Sequence, residues 1–134
     1  MTVFADSFAL IAWLNPNDDS HALVSSYLDG FAGQLVTTEW VLMEVADALS
    51  APHARSTVVD FLTAVRADKL FDVVAYDPGI YRAGFELFAR RADKAWSLTD
   101  CISFSVMTDR ALFDALTADH HFEQAGFRAV FLKR

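Results

Sequence analysis

One cysteine, Cys101, stands in the chain's 134 residues, so no internal disulfide can form and the fold must rest on its core. That usage fits a reducing cytoplasm, which is where this reading expects the protein. Basic residues are also few, 11 against 18 acids, and the net charge of −7, taken alone, argues against a broad basic face for nucleic acid. It leaves open a focused acidic pocket that a divalent cation would neutralise. No long uncharged run exists. The longest stretch without Asp, Glu, Lys or Arg, Ser7 to Asn17, is too short to cross a bilayer. No signal peptide is expected, because no basic region precedes the apolar start and Asp6 interrupts it. Repeats and low-complexity linkers are missing too, so residues 1–134 are expected to form a single domain.

What is present is apolar material, 54% hydrophobic residues with 22% charged, enough for a globular core. A domain of this size buries roughly two-thirds of the surface its unfolded chain exposes. Strands are expected at Thr2–Ala5, Gln34–Thr37, Phe71–Ala75, Asp114–Thr117 and Phe127–Leu132. Helices are expected at Phe8 to Leu14, from Asn17–Asp19 to Gly30 or Gly33, Thr38 to Ser50, His53 to Ala67, Asp77 to Arg91, and after Ser97. His120 to Gly126 reads as a short turn. Such alternation implies α/β architecture, a mostly parallel sheet covered on both faces.

The sharpest local signal is Trp96-Ser97-Leu98-Thr99-Asp100-Cys101-Ile102. Ser97 reads as an N-cap, Asp100 as the acid completing a capping box, and Trp96 with Cys101 as a hydrophobic staple. Asp100 thereby sits in the first helical turn, where backbone N–H groups favour an anion. Asp6 follows the first strand and Asp119 follows the strand ending near Thr117, so both belong at the sheet's carboxyl pole, where open parallel sheets carry their sites. Asp6 reads either as a helix cap or as a site acid, and Asp119 as a turn residue or a site acid. Glu44 falls between Trp40 and Ala48, inside an apolar helical arc, while Glu39 points to the wet side. A charge placed there needs a partner, a proton or a cation. Four acids drawn together raise one another's pKa unless a cation intervenes, and oxygen-only ligands suit Mg²⁺ or Mn²⁺. Phosphodiester hydrolysis by a metal-activated water is the chemistry such sites support.

The order of motifs Val3-Phe4-Ala5-Asp6-Ser7, Glu44-Val45-Ala46-Asp47-Ala48-Leu49, Trp96 through Phe104 and Leu116-Thr117-Ala118-Asp119-His120-His121-Phe122 through Phe127 resembles the PIN-domain family. The resemblance spans essentially the whole chain and is nearest to the VapC-type toxins of bacterial toxin–antitoxin pairs. It implies a three-layer α/β/α sandwich and a Mg²⁺- or Mn²⁺-dependent endoribonuclease. Asp6, Glu44, Asp100 and Asp119 match the family's acidic quartet, with Asp6 and Asp100 as direct metal ligands. Ser7 and Thr99 match positions where a hydroxyl is common, and each also reads as a helix cap. A homodimer and a small cognate antitoxin are further implications.

Arg90, Arg91 and Lys94 form the densest basic cluster; they read either as RNA-phosphate contacts or as cations favouring a helix C-terminus. Adjacent His120 and His121 cannot face one metal as an i, i+4 pair would, and read as turn residues. Cys101 reads as a buried small side chain, Asp77 as a cap, and Asp47 as a surface acid or a group behind Glu44. Competing folds fit less well. A haloacid-dehalogenase-type phosphatase wants an acid where Phe8 stands, and a receiver domain wants a lysine after its last strand, where only the terminal Lys133 is found. A catalytically silent RNA- or protein-binding module would be expected to lack a quartet acid, and none is missing.

Overall fold

The computed structural model describes residues 1–133; Arg134, the end of the expected domain, lies outside the described residues. Five parallel strands form one sheet: β1 (Thr2–Ala5), β2 (Gln34–Thr38), β3 (Phe71–Val74), β4 (Asp114–Leu116) and β5 (Arg128–Ala129). Their order is β3-β2-β1-β4-β5. Around it, among the described residues, run α1 (Ser7–Leu14), α2 (His21–Asp29), α3 (Glu39–Ala48), α4 (Pro52–Ala64), α5 (Pro78–Arg90), α6 (Leu98–Asp109) and α7 (His120–Gln124). Val3, Phe4 and Ala5 are each fully buried, and successive strand side chains point to opposite faces. Both faces of the central strand are therefore covered, and the α/β/α sandwich implied by the sequence is the fold. Among the described residues no helix is long and apolar enough to cross a membrane.

The strand order makes the site. From β1 the chain builds outward to β2 and β3, then crosses back so that β4 pairs with the other side of β1, aligning Ala5 with Leu116. β1 and β4 thus flank the point where the winding reverses, and the crevice beyond their carboxyl ends is the expected ligand position in such sheets.

Several boundaries differ from the sequence expectation, each for a local reason. α2 begins at His21 because Asn15 and Asp18 spend their side chains on turns, accepting from the Asn17 amide at 3.0 Å and the Ser20 amide at 2.8 Å. The helix expected to reach Ala67 tightens into a 3₁₀ turn at Val65–Ala67. The turn expected at 120–126 is instead largely helix α7, capped by Asp119 and anchored by fully buried Phe122. The last strand is shorter than expected: past Ala129 the chain turns, although Val130 and Phe131 still donate to the Ala115 and Thr117 carbonyls.

α5 and α6 pack unusually closely. A Cβ on buried Gly84 would lie 2.4 Å from Ile102 Cγ1 and 2.8 Å from Ile102 Cα. Gly84→Ala gains helix propensity, about 1 kcal/mol, but must push α5 off α6. We expect a net loss of roughly 1–2 kcal/mol in denaturant unfolding. A stabilised variant would show that the helices separate freely.

Candidate acidic site at the carboxyl ends of strands β1 and β4

Asp6 leaves β1 and occupies the N-cap position of α1, yet its carboxylate makes no capping hydrogen bond. Asp6 thus caps α1 by position and through its backbone carbonyl, not through its side chain. Its side chain instead accepts from the Thr117 hydroxyl at 2.9 Å, and that hydroxyl accepts from the Asp119 amide at 3.1 Å. Thr117, fully buried at the end of β4, so links two of the acids across the β1–β4 pair.

Local chemistry places the others. Thr38 caps α3 by accepting from the Val41 amide, which sets the phase that carries half-buried Glu44 one turn later, at the edge of the buried Val41–Val45 face. Ala48, expected inside the apolar arc, is exposed, as is Asp47. The capping box is formed as expected: Asp100 N–H donates to Ser97 Oγ at 3.0 Å, and Ser97 N–H to Asp100 Oδ2 at 3.1 Å. Trp96 and Cys101 are both buried, and the Trp96 ring packs on Phe104 at 5.1 Å while its N–H donates to Gln124 Oε1 at 3.0 Å. That bond ties the start of α6 to α7. Asp119 caps α7 by accepting from the His121 amide at 2.9 Å.

Asp6, Glu44 and Asp100 lie close enough to raise one another, and the Asp119 charge acts on Asp100. Burial pushes the Asp6 carboxyl up to about 7, against pull from the Thr117 hydroxyl and Ser7 amide, and the Asp100 and Glu44 charges raise it further. Burial also raises Glu44, with the Ser7 hydroxyl pulling down and Asp100 and Asp47 pushing up. Asp100 is raised by burial, lowered by the Ser97 amide, raised by Asp119 and lowered by His121. Burial with mutual repulsion makes a pocket short of positive charge.

Of the other expected site residues, Ser7 is brought in by its hydrogen bond to Glu44, and half-buried Thr99 is next to Asp100 in the chain. The basic cluster is not gathered at the acids. Arg91 pairs with Asp93 at 2.9 Å and lies over the Trp96 ring at 4.9 Å, so its charge is already engaged. Arg90 and Arg91 line a groove of about 740 Å³ with Trp96, Gln124 and Phe127, and no quartet acid lines it. This groove is therefore separate from the acids. Lys94 is half-buried.

Two residues escaped sequence reasoning. Thr117 carried a faint signal, a hydroxyl two residues before a strand-end acid. His121, expected in a turn, has Nδ1 at 3.4 Å from Asp100 Oδ2 and 3.4 Å from Asp119 Oδ1. Asp119, His120 and His121 also bring one donor atom each within 4.8 Å of one another.

Comparison with known proteins places the fold. A PIN-domain family model matches residues 3–128. The fold is similar to VapC20 of Mycobacterium tuberculosis, a sarcin-ricin loop cleaving toxin, with TM-score 0.87 and 23% identity over 96% of this chain and 98% of that one. It is also similar to FitAcB from Neisseria gonorrhoeae, at TM-score 0.66 and 15% identity over 96% of each chain. VapBC2 from Rickettsia felis, bound to a DNA fragment from their promoter, matches at TM-score 0.65 and 12% identity over 92% of each chain. No curated protein sequence matches.

Proposed function

Because the chain belongs to the PIN-domain family, we propose that it is a divalent-metal-dependent endoribonuclease and the toxin of a toxin–antitoxin pair. The observation that carries the reading is the convergence of Asp6, Glu44, Asp100 and Asp119 at the switch point of the sheet, with Asp6 buried and no cation acting on it among the described residues. The donor set fits Mg²⁺ or Mn²⁺: carboxylate oxygens dominate, and the Asp6, Glu44 and Asp100 carboxyls are raised as expected of acids whose neutralising partner is a cation. When bound, such an ion supplies Lewis-acid activation of water and charge stabilisation for phosphodiester hydrolysis.

The chain's own residues do the rest. Asp6 and Asp100 are the direct ligands; Glu44 and Asp119 complete the set. Thr117 holds one Asp6 oxygen, Ser7 orients Glu44, and the Ser97 cap aims Asp100. Thr99 offers a hydroxyl beside the site, while Arg90 and Lys94 offer charge for a passing phosphate backbone; Arg91, engaged by Asp93 and Trp96, supports the segment rather than the substrate. Since the net charge is −7, RNA must be held by this local arrangement and not by a basic face. Likeness to a toxin that cleaves the sarcin-ricin loop supports structured RNA as substrate, and likeness to VapBC2 supports an antitoxin partner. The protein is proposed to act as a homodimer.

The test incubates antitoxin-free protein with structured RNAs in Mg²⁺ or Mn²⁺ and then with chelator. Cleavage that survives chelation would overturn the mechanism, and no cleavage on a broad panel would favour the binding-module alternative. Ser97→Ala should cost about 1 kcal/mol of stability and weaken Mg²⁺ binding several-fold, because the cap aims Asp100. Unchanged affinity in that variant would break the coupling while leaving the quartet standing.

A further inference from the structure

We propose that His121 supplies a nitrogen donor to the cation held between Asp100 and Asp119, shifting the site's preference from Mg²⁺ toward Mn²⁺. This rests on the metal-dependent reading above and adds a ligand of different chemistry to it.

The imidazole is held where such a ligand belongs. Its backbone amide donates to Asp119 Oδ1 at 2.9 Å, so the acid that caps α7 also fixes the root of the ring. The next residue, Phe122, is fully buried, with its ring 4.9 Å from Phe104 and 6.5 Å from Phe4. Through Phe104 and the Trp96–Gln124 bond, α7 is locked to α6, which carries Asp100. The position of His121 against Asp100 is therefore set by the core and not by a surface loop.

The exposed nitrogen of a surface histidine can satisfy itself with water. His121 Nδ1 cannot. It is buried and makes no well-directed hydrogen bond among the described residues; it faces one oxygen of Asp100 and one of Asp119, each at 3.4 Å. A buried polar atom without a well-directed hydrogen bond is costly, and here it adjoins a pair of carboxylates that repel each other. A single cation among the three atoms answers all of these needs. Donors at right angles around an ion with bonds of ~2.1 Å stand roughly 3.0 Å apart, so closing the site asks for movements of a few tenths of an ångström. His120 is different: its side chain is 66% exposed and its Nδ1 is 3.8 Å from Asp119, which leaves it outside the set.

Chemistry then sets the preference. Mg²⁺ favours oxygen ligands and retains its waters, whereas imidazole binds Mn²⁺ and later first-row metals more readily. The opposing account makes His121 a positioning residue that only steadies two carboxylates. Under that account its loss weakens every cation equally.

The experiment uses the full chain stripped of divalent ions, titrated separately with Mn²⁺ and Mg²⁺, for wild type, His121→Ala, His121→Gln and His120→Ala. Mn²⁺ affinity should fall about tenfold or more in both His121 variants, while Mg²⁺ affinity moves less than about threefold. Pulsed electron paramagnetic resonance of the Mn²⁺-loaded wild type should show nitrogen coupling that persists in His120→Ala and disappears from the His121 variants. Absence of nitrogen coupling in the wild type, or equal losses for both ions, overturns the proposal. The wild-type spectrum decides even if His121→Ala does not fold. Wild type that binds neither ion would instead sink the metal-dependent reading itself.

Discussion

Asp6→Asn is expected to lower RNA cleavage by about a thousandfold or more and, at the same time, to raise the melting temperature of the metal-free protein above pH 7. The first effect follows from charge. Asn keeps the shape of Asp and can still accept from Thr117 Oγ1, so the β1–β4 link at 2.9 Å survives. What disappears is the most deeply buried negative charge of the quartet. Removing one preorganised charge from a site that stabilises a developing one costs on the order of 4 kcal/mol in the barrier, which is the stated loss. The second effect has the opposite sign because the same charge opposes folding. Burial holds the Asp6 carboxyl at about 7, so above that pH the metal-free fold must carry an ionised group in a place that disfavours it. Asn removes that cost, and the expected gain is a few degrees at pH 8. Single-turnover cleavage and thermal unfolding check the pair. Activity within tenfold of wild type would remove Asp6 from the chemistry, and a lower melting temperature at pH 8 would mean that Asp6 stabilises the fold.

That opposition also explains which parts of the site are legible in the sequence. The Ser97–Asp100 capping box is local, complete within three residues, and the sequence expectation matches it atom for atom. Asp6 and Asp119 follow from a rule about strand ends, and Glu44 from its phase on α3, because a carboxylate at an apolar edge conflicts with folding and advertises another purpose. The resemblance to a family supplied their grouping, which periodicity alone does not. What could not be read depends on contacts between distant segments. Thr117 matters only because Ala5 aligns with Leu116, and nothing in Leu116-Thr117-Ala118 announces that register. In the sequence the visible neighbour of His121 is His120, whereas its neighbours in the fold are Asp119 and, through the packing of α7 on α6, Asp100. Arg91 shows the converse: a charge dense in sequence, and so attractive as a phosphate contact, is spent on Asp93 and Trp96 close by. Groups whose partners lie within one helical turn are readable; those whose partners arrive through the sheet are not.

The second large effect is on pH, and its sign follows from the raised carboxyls. Asp6 ordinarily titrates at 3.8 and in the fold at about 7. A group whose folded value is raised contributes stability that is complete below the unfolded value and is lost as pH climbs through the folded one. The metal-free protein should therefore lose stability progressively between about pH 4 and pH 7 and level off above. Glu44 and Asp100, both raised, add to the loss with the same sign. Cation binding must displace the Asp6 proton below pH 7, so apparent affinity should rise about tenfold per pH unit in that range and flatten beyond it. Stabilisation by a fixed excess of Mg²⁺ or Mn²⁺ grows with affinity and so should be small at pH 5.5 and large at pH 8. Thermal unfolding with and without cation, across that range, gives two curves that diverge as pH increases. Asp6→Asn should flatten the lower curve and abolish most of the divergence. Curves that stay parallel in the wild type would mean that the cation does not compete with protons for these carboxylates, and the quartet would then have to be read as buried acids stabilised by something other than metal.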